Sequence, residues 1–220
     1  METIVNYFLY FIIYSFVGWI IEMIYNYCVL KRIVNRGYLI GPICPIYGCG
    51  FVLAIILIGN STSNYIEIYL KCFLICAVVE YVTSYIMEKL FRARWWNYSR
   101  HRFNLNGRIC LETLIPFGIL GTLFICFIHP NIMNFVKSFD YNIRFIISII
   151  IFIIFVIDNI FSCFFMNKIK KQIKNANVDN TELIRIKTIE WIEKNSLYYK
   201  RIRNAFPKFI INPAKSKKKK

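Results

Sequence analysis

Long apolar stretches constrain this chain more than any other feature of its sequence, together with connections that are alternately rich and poor in basic residues. A stretch of about 20 apolar residues is long enough to cross the hydrocarbon core of a bilayer as a helix. About five such segments occur, at residues 7–30, 42–58, 66–90, 109–128 and 143–165. The sequence therefore predicts an all-α fold, in which a polytopic helical bundle is embedded in a membrane.

Basic residues are concentrated in alternate connections between these segments. The first and third connections hold most of those that precede the tail: Lys31, Arg32, Arg36, Lys89, Arg92, Arg94, Arg100, Arg102 and Arg108. The other connections hold Lys71, Lys137 and Arg144, and residues after Met166 hold 16 of the 28 Lys and Arg. Because loops rich in Lys and Arg stay in the cytoplasm, the pattern predicts the N-terminus outside and the C-terminus inside.

Composition and charge favour a membrane protein over a soluble nucleic-acid-binding protein. Hydrophobic residues make up 57% of the chain and aromatic residues 18%, more than soluble domains carry. The net charge of +16 lies mostly on the predicted cytoplasmic face. Anionic lipid of the inner leaflet is the expected partner of that face, and no nucleic acid is expected.

The eight cysteines and two histidines lack the spacing of a metal site. Tetrahedral zinc sites use closely paired ligands, and the sequence has no Cys-x-x-Cys pair. We therefore interpret the cysteines as free thiols and predict neither a metal nor a cofactor. His129, followed by Pro130, is expected to end the fourth segment.

The second segment begins with residues that interrupt a helix. Gly41, Pro42, Pro45, Gly48 and Gly50 leave only about a dozen uninterrupted apolar residues, which is short for a span. Proline lacks an N–H donor, so the backbone here is expected to be irregular as it enters the membrane. Such backbone must be buried in protein or line a wet cavity. The alternative is an ordinary turn followed by a helix that begins at proline.

Acidic side chains inside the candidate spans are the main functional signal. A charge there costs several kcal/mol unless it is paired, solvated or protonated. Five residues qualify: Glu22, Glu80, Glu88, Glu112 and Asp158. Glu80 is the deepest, and helical spacing puts Glu80 and Glu88 on one stripe of their helix. That stripe is expected to meet a second polar stripe, which includes Glu22.

Three arginines on the adjoining basic loops, Arg36, Arg94 and Arg108, can reach the inner carboxylates. Either these groups form an ion-pair network that holds the helices together, or they form a substrate or proton site. The candidate site residues are therefore Glu22, Glu80, Glu88, Glu112, Arg36, Arg94 and Arg108. We expect Glu88→Gln to be milder than Glu80→Gln, because water reaches the level of Glu88. Trp95 and Trp96 are predicted to anchor an ordered loop at headgroup depth.

The chain is expected to divide near residue 165. Residues 1–165 form the predicted transmembrane bundle, and residues 166–220 a basic cytoplasmic segment. Asp179 and Glu182 fit the cap and third positions of a helix that runs to about Ala205. That helix is expected to lie against the membrane or a partner, or else to be solvated, and a polylysine tail follows it.

Two glycine pairs suggest a tandem repeat. Gly37 and Gly48 have the same separation as Gly107 and Gly118, and a proline precedes the second glycine of each pair closely. Parallel repeats of this kind are common in transporters, although chance similarity is the alternative.

Several longer motifs resemble those of a known family. They are YSFVGWIIE at 14–22, NRGYLIGPICPIYG at 35–48, RWWNYS at 94–99, FN at 103–104, NGRICLE at 106–112 and RNAFP at 203–207. The combination resembles the bacterial family called putative ABC-transporter type IV, or CmpB-like. The resemblance implies a multi-pass protein of the bacterial plasma membrane with a transport role. Asn97 departs from the family pattern, which usually has an acidic residue there.

An ATP-driven transporter needs a nucleotide site, and the sequence contains no GxxxxGK[ST] phosphate loop. The implied role is a permease-like protein whose ATPase is a partner supplied in trans. One rival is a membrane-embedded enzyme acting on lipid or isoprenoid phosphate, although no GxSxG or HExxH motif occurs and no catalytic residue is assigned. Another is a non-catalytic accessory or sensor subunit.

Overall fold

The computed structural model describes residues 1–31, 37–59, 64–91, 93–175 and 210–211. Within these ranges the chain is helical: α1 (Glu2–Leu30), α2 (Pro45–Ile58), α3 (Tyr65–Phe91), α4 (Leu111–Leu123), α5 (His129–Lys137) and α6 (Tyr141–Asn175). A π-helical turn, Phe124–Ile128, joins α4 to α5. The described residues also include four two-residue strands: β1 (Ala93–Arg94), β2 (Asn104–Leu105), β3 (Ile109–Cys110) and β4 (Ile210–Ile211). The predicted helical bundle is confirmed.

Among the described residues, four helical runs are long and apolar enough to cross a membrane. They are Glu2–Cys28, Tyr65–Phe91, Leu111–Lys137 and Tyr141–Asn167, each of 27 residues. Helix α2 has only 14 residues, about 21 Å at the usual rise per residue, against a hydrocarbon core of about 30 Å. The chain is therefore a multi-pass membrane protein with a shorter apolar helix. The count of five crossings and the orientation stay predictions.

The fourth helical run continues past His129 and Pro130, so the prediction that it ends there is wrong. The π-helical turn directly precedes α5, and Pro130 lies in the first turn of α5. An inserted residue widens the helix where the proline ring would otherwise clash with the preceding turn. Proline is tolerated at a helix start because the N–H that it lacks is not needed there.

Helix α6 also runs further than expected, to Asn175 rather than to about residue 165. Residues 166–175 contain no glycine or proline to stop it. Further along, strand β4 pairs antiparallel with β1, with Arg94 opposite Ile210. Residues 210–211 thus pair with the loop that follows α3. The helix predicted at 178–205 and the polylysine tail lie outside the described residues.

Helices α1 and α2 pack closely because glycines remove side chains from their interface. A Cβ atom at Gly48 would overlap the Phe11 carbonyl and the Ser15 hydroxyl of α1, and one at Gly18 would overlap the Tyr47 ring. The Ser15 hydroxyl also donates a 2.6 Å hydrogen bond to the Phe11 carbonyl, so this polar group is satisfied within its own helix. Close approach of these two backbones therefore requires glycine at position 48.

Gly48→Ala is expected to destabilise the protein, whereas Gly50→Ala in the same helix is not. Nothing lies within 4 Å of a Cβ atom at Gly50, and alanine favours a helix there. Overpacking at Gly48 meets rigid backbone and should cost about 1–3 kcal/mol. Thermal unfolding of the two variants in detergent measures the difference. Equal melting temperatures would show that α1 and α2 do not pack this closely.

Candidate functional site

The irregular segment at residues 37–44 reaches the middle of α1. The N–H of Cys44 donates a 2.9 Å hydrogen bond to the carbonyl of Ser15, which lies near the midpoint of that helix. Helix α2 begins directly afterwards, with Pro45 in its first turn. The backbone is therefore irregular only up to residue 44, and a helix begins at proline after it, as in the alternative interpretation. The polar groups of the irregular part need partners inside the protein.

Asp158 of α6 supplies two of those partners. Its carboxylate oxygens accept hydrogen bonds of 2.9 Å from the N–H groups of Ile40 and Gly41, and the Ser162 hydroxyl donates to it at 3.2 Å. A Cβ atom at Gly41 would lie 2.9 Å from the carboxylate, so a side chain would crowd this contact. Asp158 thus fixes the irregular segment to α6, which is a structural role for one of the five intramembrane acids.

Glu88, Arg94 and Arg108 form a compact cluster, called here the arginine cluster. The Nε of Arg94 and the Nη2 of Arg108 both lie 2.7 Å from Oε2 of Glu88. The three side chains are 19%, 22% and 10% exposed respectively. The structure therefore joins these three candidates into the ion-pair network that was one of the two interpretations of the sequence.

Arg108 is the most enclosed member of the arginine cluster. Its Nη1 lies 3.4 Å from the Ser84 hydroxyl, and its guanidinium stands 5.7 Å and 5.3 Å from the ring centres of Tyr81 and Tyr85. Aromatic faces attract a cation at such distances. Arg108 therefore fixes the loop after α3 against the face of α3 itself.

Residues 93–110, the hairpin loop, are ordered by a tight turn. Strands β2 and β3 pair antiparallel, and the Arg108 N–H donates a 3.0 Å bond to the Leu105 carbonyl across Asn106 and Gly107. Both turn residues have positive φ, 54° and 67°, as the Asn-Gly turn of a hairpin requires. The indole of Trp96 donates a 2.8 Å bond to the Arg108 carbonyl. The turn thus presents Arg108 to Glu88.

Trp95 and Trp96 are packed into the protein at this end of the bundle. Trp95 is 6% exposed, with ring centres of Phe91 and Tyr38 at 5.7 Å and 6.3 Å. Trp96 is half-buried. Anchoring at headgroup depth stays a prediction for both.

Glu80 lies apart from the arginine cluster, on the same helix. Its Oε1 accepts a 3.0 Å hydrogen bond from the Tyr98 hydroxyl of the hairpin loop. Its Oε2 is buried and has no hydrogen-bond partner among the described residues. Burial, and then the Glu80 carboxylate, raise the pKa of Tyr98, so its phenol stays protonated and donates. Glu80 and Tyr98 are called here the Glu80 site.

Glu22 occupies the matching position on α1. Gly48 packs on Phe11 and Ser15 of α1, and Gly118 packs on Tyr69 and Phe73 of α3. Glu22 follows Ser15 by the same number of residues as Glu80 follows Phe73. These equivalent contacts support the tandem repeat suggested by the glycine spacing.

The Glu22 carboxylate also resembles Glu80 in its contacts. It accepts a 2.7 Å hydrogen bond from the Tyr47 hydroxyl, as Glu80 accepts one from Tyr98. Glu22 also lies close enough to Glu80 to act on it electrostatically. Each half of the repeat thus carries one inner carboxylate bonded to a tyrosine, and the two carboxylates lie within electrostatic range of each other.

The remaining candidates are not part of these buried groups. Glu112 is in the first turn of α4, where a negative charge suits the helix dipole, and it pairs with His101 at an exposed position. Arg36 lies outside the described residues. No group of three or more potential metal ligands occurs within the part of the chain that the structure describes.

Two side chains of the candidate site, Tyr47 and Tyr98, were missed by sequence reasoning. Both lie in family-like motifs, but tyrosine is common in this chain, which has 15. No sequence spacing links Tyr98 to Glu80 or Tyr47 to Glu22. The sequence signal that could have helped is the dipeptide Asn106-Gly107, because it predicts a hairpin. Such a hairpin would turn the loop back toward the bundle.

Fold and site together define a multi-pass helical membrane protein with ionisable groups buried inside its bundle. The chain belongs to the family described as putative ABC-transporter type IV, whose family model matches residues 9–163. That membership supports a transporter-like membrane protein. No curated protein and no solved structure matches the chain.

Proposed function

We propose that this chain is the permease-like subunit of a transporter in the bacterial plasma membrane, with its ATPase supplied by a separate chain. The observation that carries the proposal is the hydrogen bond from Tyr98 to Glu80. It connects the hairpin loop, which the charge pattern predicts to be cytoplasmic, to a carboxylate buried within a helix long enough to span the membrane. A partner that moves the hairpin loop would act directly on that carboxylate.

The short second helix is a further reason for preferring transport. Transporter sites are commonly built where a helix is interrupted within the membrane and irregular backbone lines the site. Here the segment at 37–44 precedes α2, and Tyr47 in the first turn of α2 reaches Glu22. The irregular backbone and the two inner carboxylates thus lie in one region of the bundle.

An enzyme acting on lipid phosphate is less well supported. The arginines of the candidate site are the groups that would bind phosphate in such an enzyme. Both described arginines of the candidate site, Arg94 and Arg108, already bind Glu88. The rival that remains to be separated by experiment is a non-catalytic accessory subunit.

Photo-crosslinking tests for the ATPase partner. A benzoylphenylalanine at Phe103, a 67% exposed residue of the hairpin loop, should crosslink an ATP-binding protein in native membranes. Phe135, 62% exposed at the far end of α5, is the matched control and should not. Capture of an ATP-binding protein from position 103 supports the permease role. If only membrane proteins without nucleotide sites are captured, the chain is an accessory subunit and the proposal fails.

The orientation is tested by cysteine labelling in intact cells, with the native thiols replaced. An impermeant maleimide should label Asn134→Cys directly and His101→Cys only after permeabilisation, because basic loops stay inside. Asn134 is exposed, so its reactivity reports location rather than burial. Labelling in the opposite order would place the hairpin loop outside the cell, beyond reach of a cytoplasmic ATPase. Ser61, a further predicted outer position, lies outside the described residues.

A further inference from the structure

The strongest unexplained feature of the bundle is one oxygen atom, Oε2 of Glu80. The residue is 7% exposed, and this atom has no hydrogen-bond partner within the described ranges. A buried carboxylate oxygen without a donor is costly, and more so in a membrane, where water is absent. Something other than the described side chains must therefore stabilise it.

The nearby arginines do not serve this purpose. Arg94 and Arg108 direct their charges to Glu88, on the same helix as Glu80 but two turns further on. Among the described residues, Glu80 takes part in no ion pair shorter than 4.0 Å. In the described part of the chain, the titratable groups that act on it include the phenol of Tyr98, the carboxylate of Glu22 and the thiol of Cys76, one turn away on α3. The Glu22 carboxylate thus opposes a second negative charge on Glu80, at a position shielded from solvent.

Tyr98 leaves Oε2 open rather than satisfying it. A protonated phenol has one O–H to donate, and Tyr98 donates it to Oε1 at 3.0 Å. That bond orients the carboxylate and fixes which oxygen remains available. An oriented carboxylate with one free oxygen, and a second carboxylate close by, is an arrangement that attracts a positive charge.

We propose that Glu80 binds one monovalent cation at Oε2, either a proton or a small cation such as Na⁺ or K⁺. The proposal rests on the proposed transport function and gives its substrate or coupling ion a chemical class. Protons and small cations share the relevant chemistry, which is neutralisation of a single carboxylate. Tyr98 closes the site on the side of the hairpin loop, so a movement of that loop opens it.

Thermal unfolding of the purified full-length chain in detergent tests for binding without needing an ATPase or a transport assay. Sodium or potassium replaces N-methylglucamine at constant ionic strength, and pH varies from 5.5 to 8.5 in separate series. A ligand that binds only the folded state raises the melting temperature, by roughly 5–11 °C at about 100 times its dissociation constant. A rise with one metal cation identifies that cation, and a rise as pH falls identifies the proton.

Glu80→Gln should abolish this dependence, and Tyr98→Phe should weaken it several-fold. Glu67→Gln, the same change near the start of α3 at an exposed pair with Lys71, should leave it intact. The proposal is wrong if Glu80→Gln and wild type respond identically to both series. Cation binding at Glu80 with no ATPase captured from position 103 would contradict only the permease role. Capture of an ATPase from position 103 without cation binding at Glu80 would contradict only this site.

A second measurement uses wild-type protein, in case Glu80→Gln fails to fold. Dicyclohexylcarbodiimide modifies protonated carboxyl groups in apolar surroundings, and mass spectrometry locates the adduct. Glu80 should be modified more as pH falls if the ion is a proton, and Na⁺ or K⁺ should protect it if the ion is a metal cation. Glu88, held by two arginines, is the internal control and should stay unmodified. Modification of Glu80 that depends on neither pH nor cation would overturn the proposal.

Discussion

Replacing Glu88 with glutamine is expected to destabilise the protein by about 3 kcal/mol, because it leaves two mostly buried arginines without their shared carboxylate. One carboxylate oxygen of Glu88 pairs with both Arg94 and Arg108. The amide oxygen of glutamine carries no charge to offset the positive charges of the two arginines. For a domain of this size the loss corresponds to a melting temperature lower by about 6–12 °C. Differential scanning fluorimetry in detergent measures it.

The matched control for this change is Glu67→Gln on the same helix. Glu67 and Lys71 form an exposed pair, with side chains 47% and 33% exposed, and such pairs contribute at most about 0.5 kcal/mol. Arg108→Gln should cost about as much as Glu88→Gln, and the double change less than the sum, because the two residues share one interaction. A Glu88→Gln melting temperature within 2 °C of wild type, or full additivity, would contradict the arginine cluster.

This expectation reverses the stability order inferred from sequence, in which Glu88→Gln was the milder change. Expected depth alone suggested that order, since the sequence places Glu88 nearer the end of its helix, where water is expected to reach it. The structure gives Glu88 two arginines and gives Glu80 one phenol. Removing the Glu88 charge therefore leaves two mostly buried arginines without a compensating negative charge. Glu80→Gln, in contrast, keeps the hydrogen bond from Tyr98.

Asp158→Ala is expected to cost about 3 kcal/mol and to release the segment at 37–44. Two backbone N–H groups, of Ile40 and Gly41, lose a charged acceptor at 2.9 Å, and hydrogen bonds to charged groups contribute about 1.5–3 kcal/mol each. Inside a bilayer no water replaces that acceptor. The released segment should expose the thiol of Cys44, which is 6% exposed in the intact structure. Alkylation of Cys44, followed by mass spectrometry, measures the release.

Two further substitutions separate this effect from general damage to α6. Asn159→Ala removes an adjacent side chain whose hydrogen bond within the described part of the chain stays inside the helix, to the Phe155 carbonyl at 2.7 Å, and should leave Cys44 protected. Asp158→Asn retains one oxygen acceptor and should give an intermediate alkylation rate. Fast alkylation of Cys44 in Asn159→Ala, or slow alkylation in Asp158→Ala, would show that Asp158 does not hold the segment.

The sequence by itself determined the class of the fold and the position of each acid along its helix. Runs of apolar residues specify helices that can cross a membrane, and the crowded glycines and prolines at 41–50 predict a short, late-starting α2. These signals are local, because hydropathy and helix breaking act within one or two turns of the chain. The position of an acid along its helix follows from the same counting.

Only the tertiary structure decided which charged groups meet. Counting along a helix gives depth and face, but it does not give the neighbouring element that the face contacts. Asp158 and Ile40 are 118 residues apart, and their pairing depends on how α6 packs beside α1. Glu80 binds Tyr98 rather than an arginine because the turn at Asn106 and Gly107 carries Arg108 to Glu88 instead. Such pairings follow from packing and turn geometry between distant segments, which no spacing in the sequence encodes.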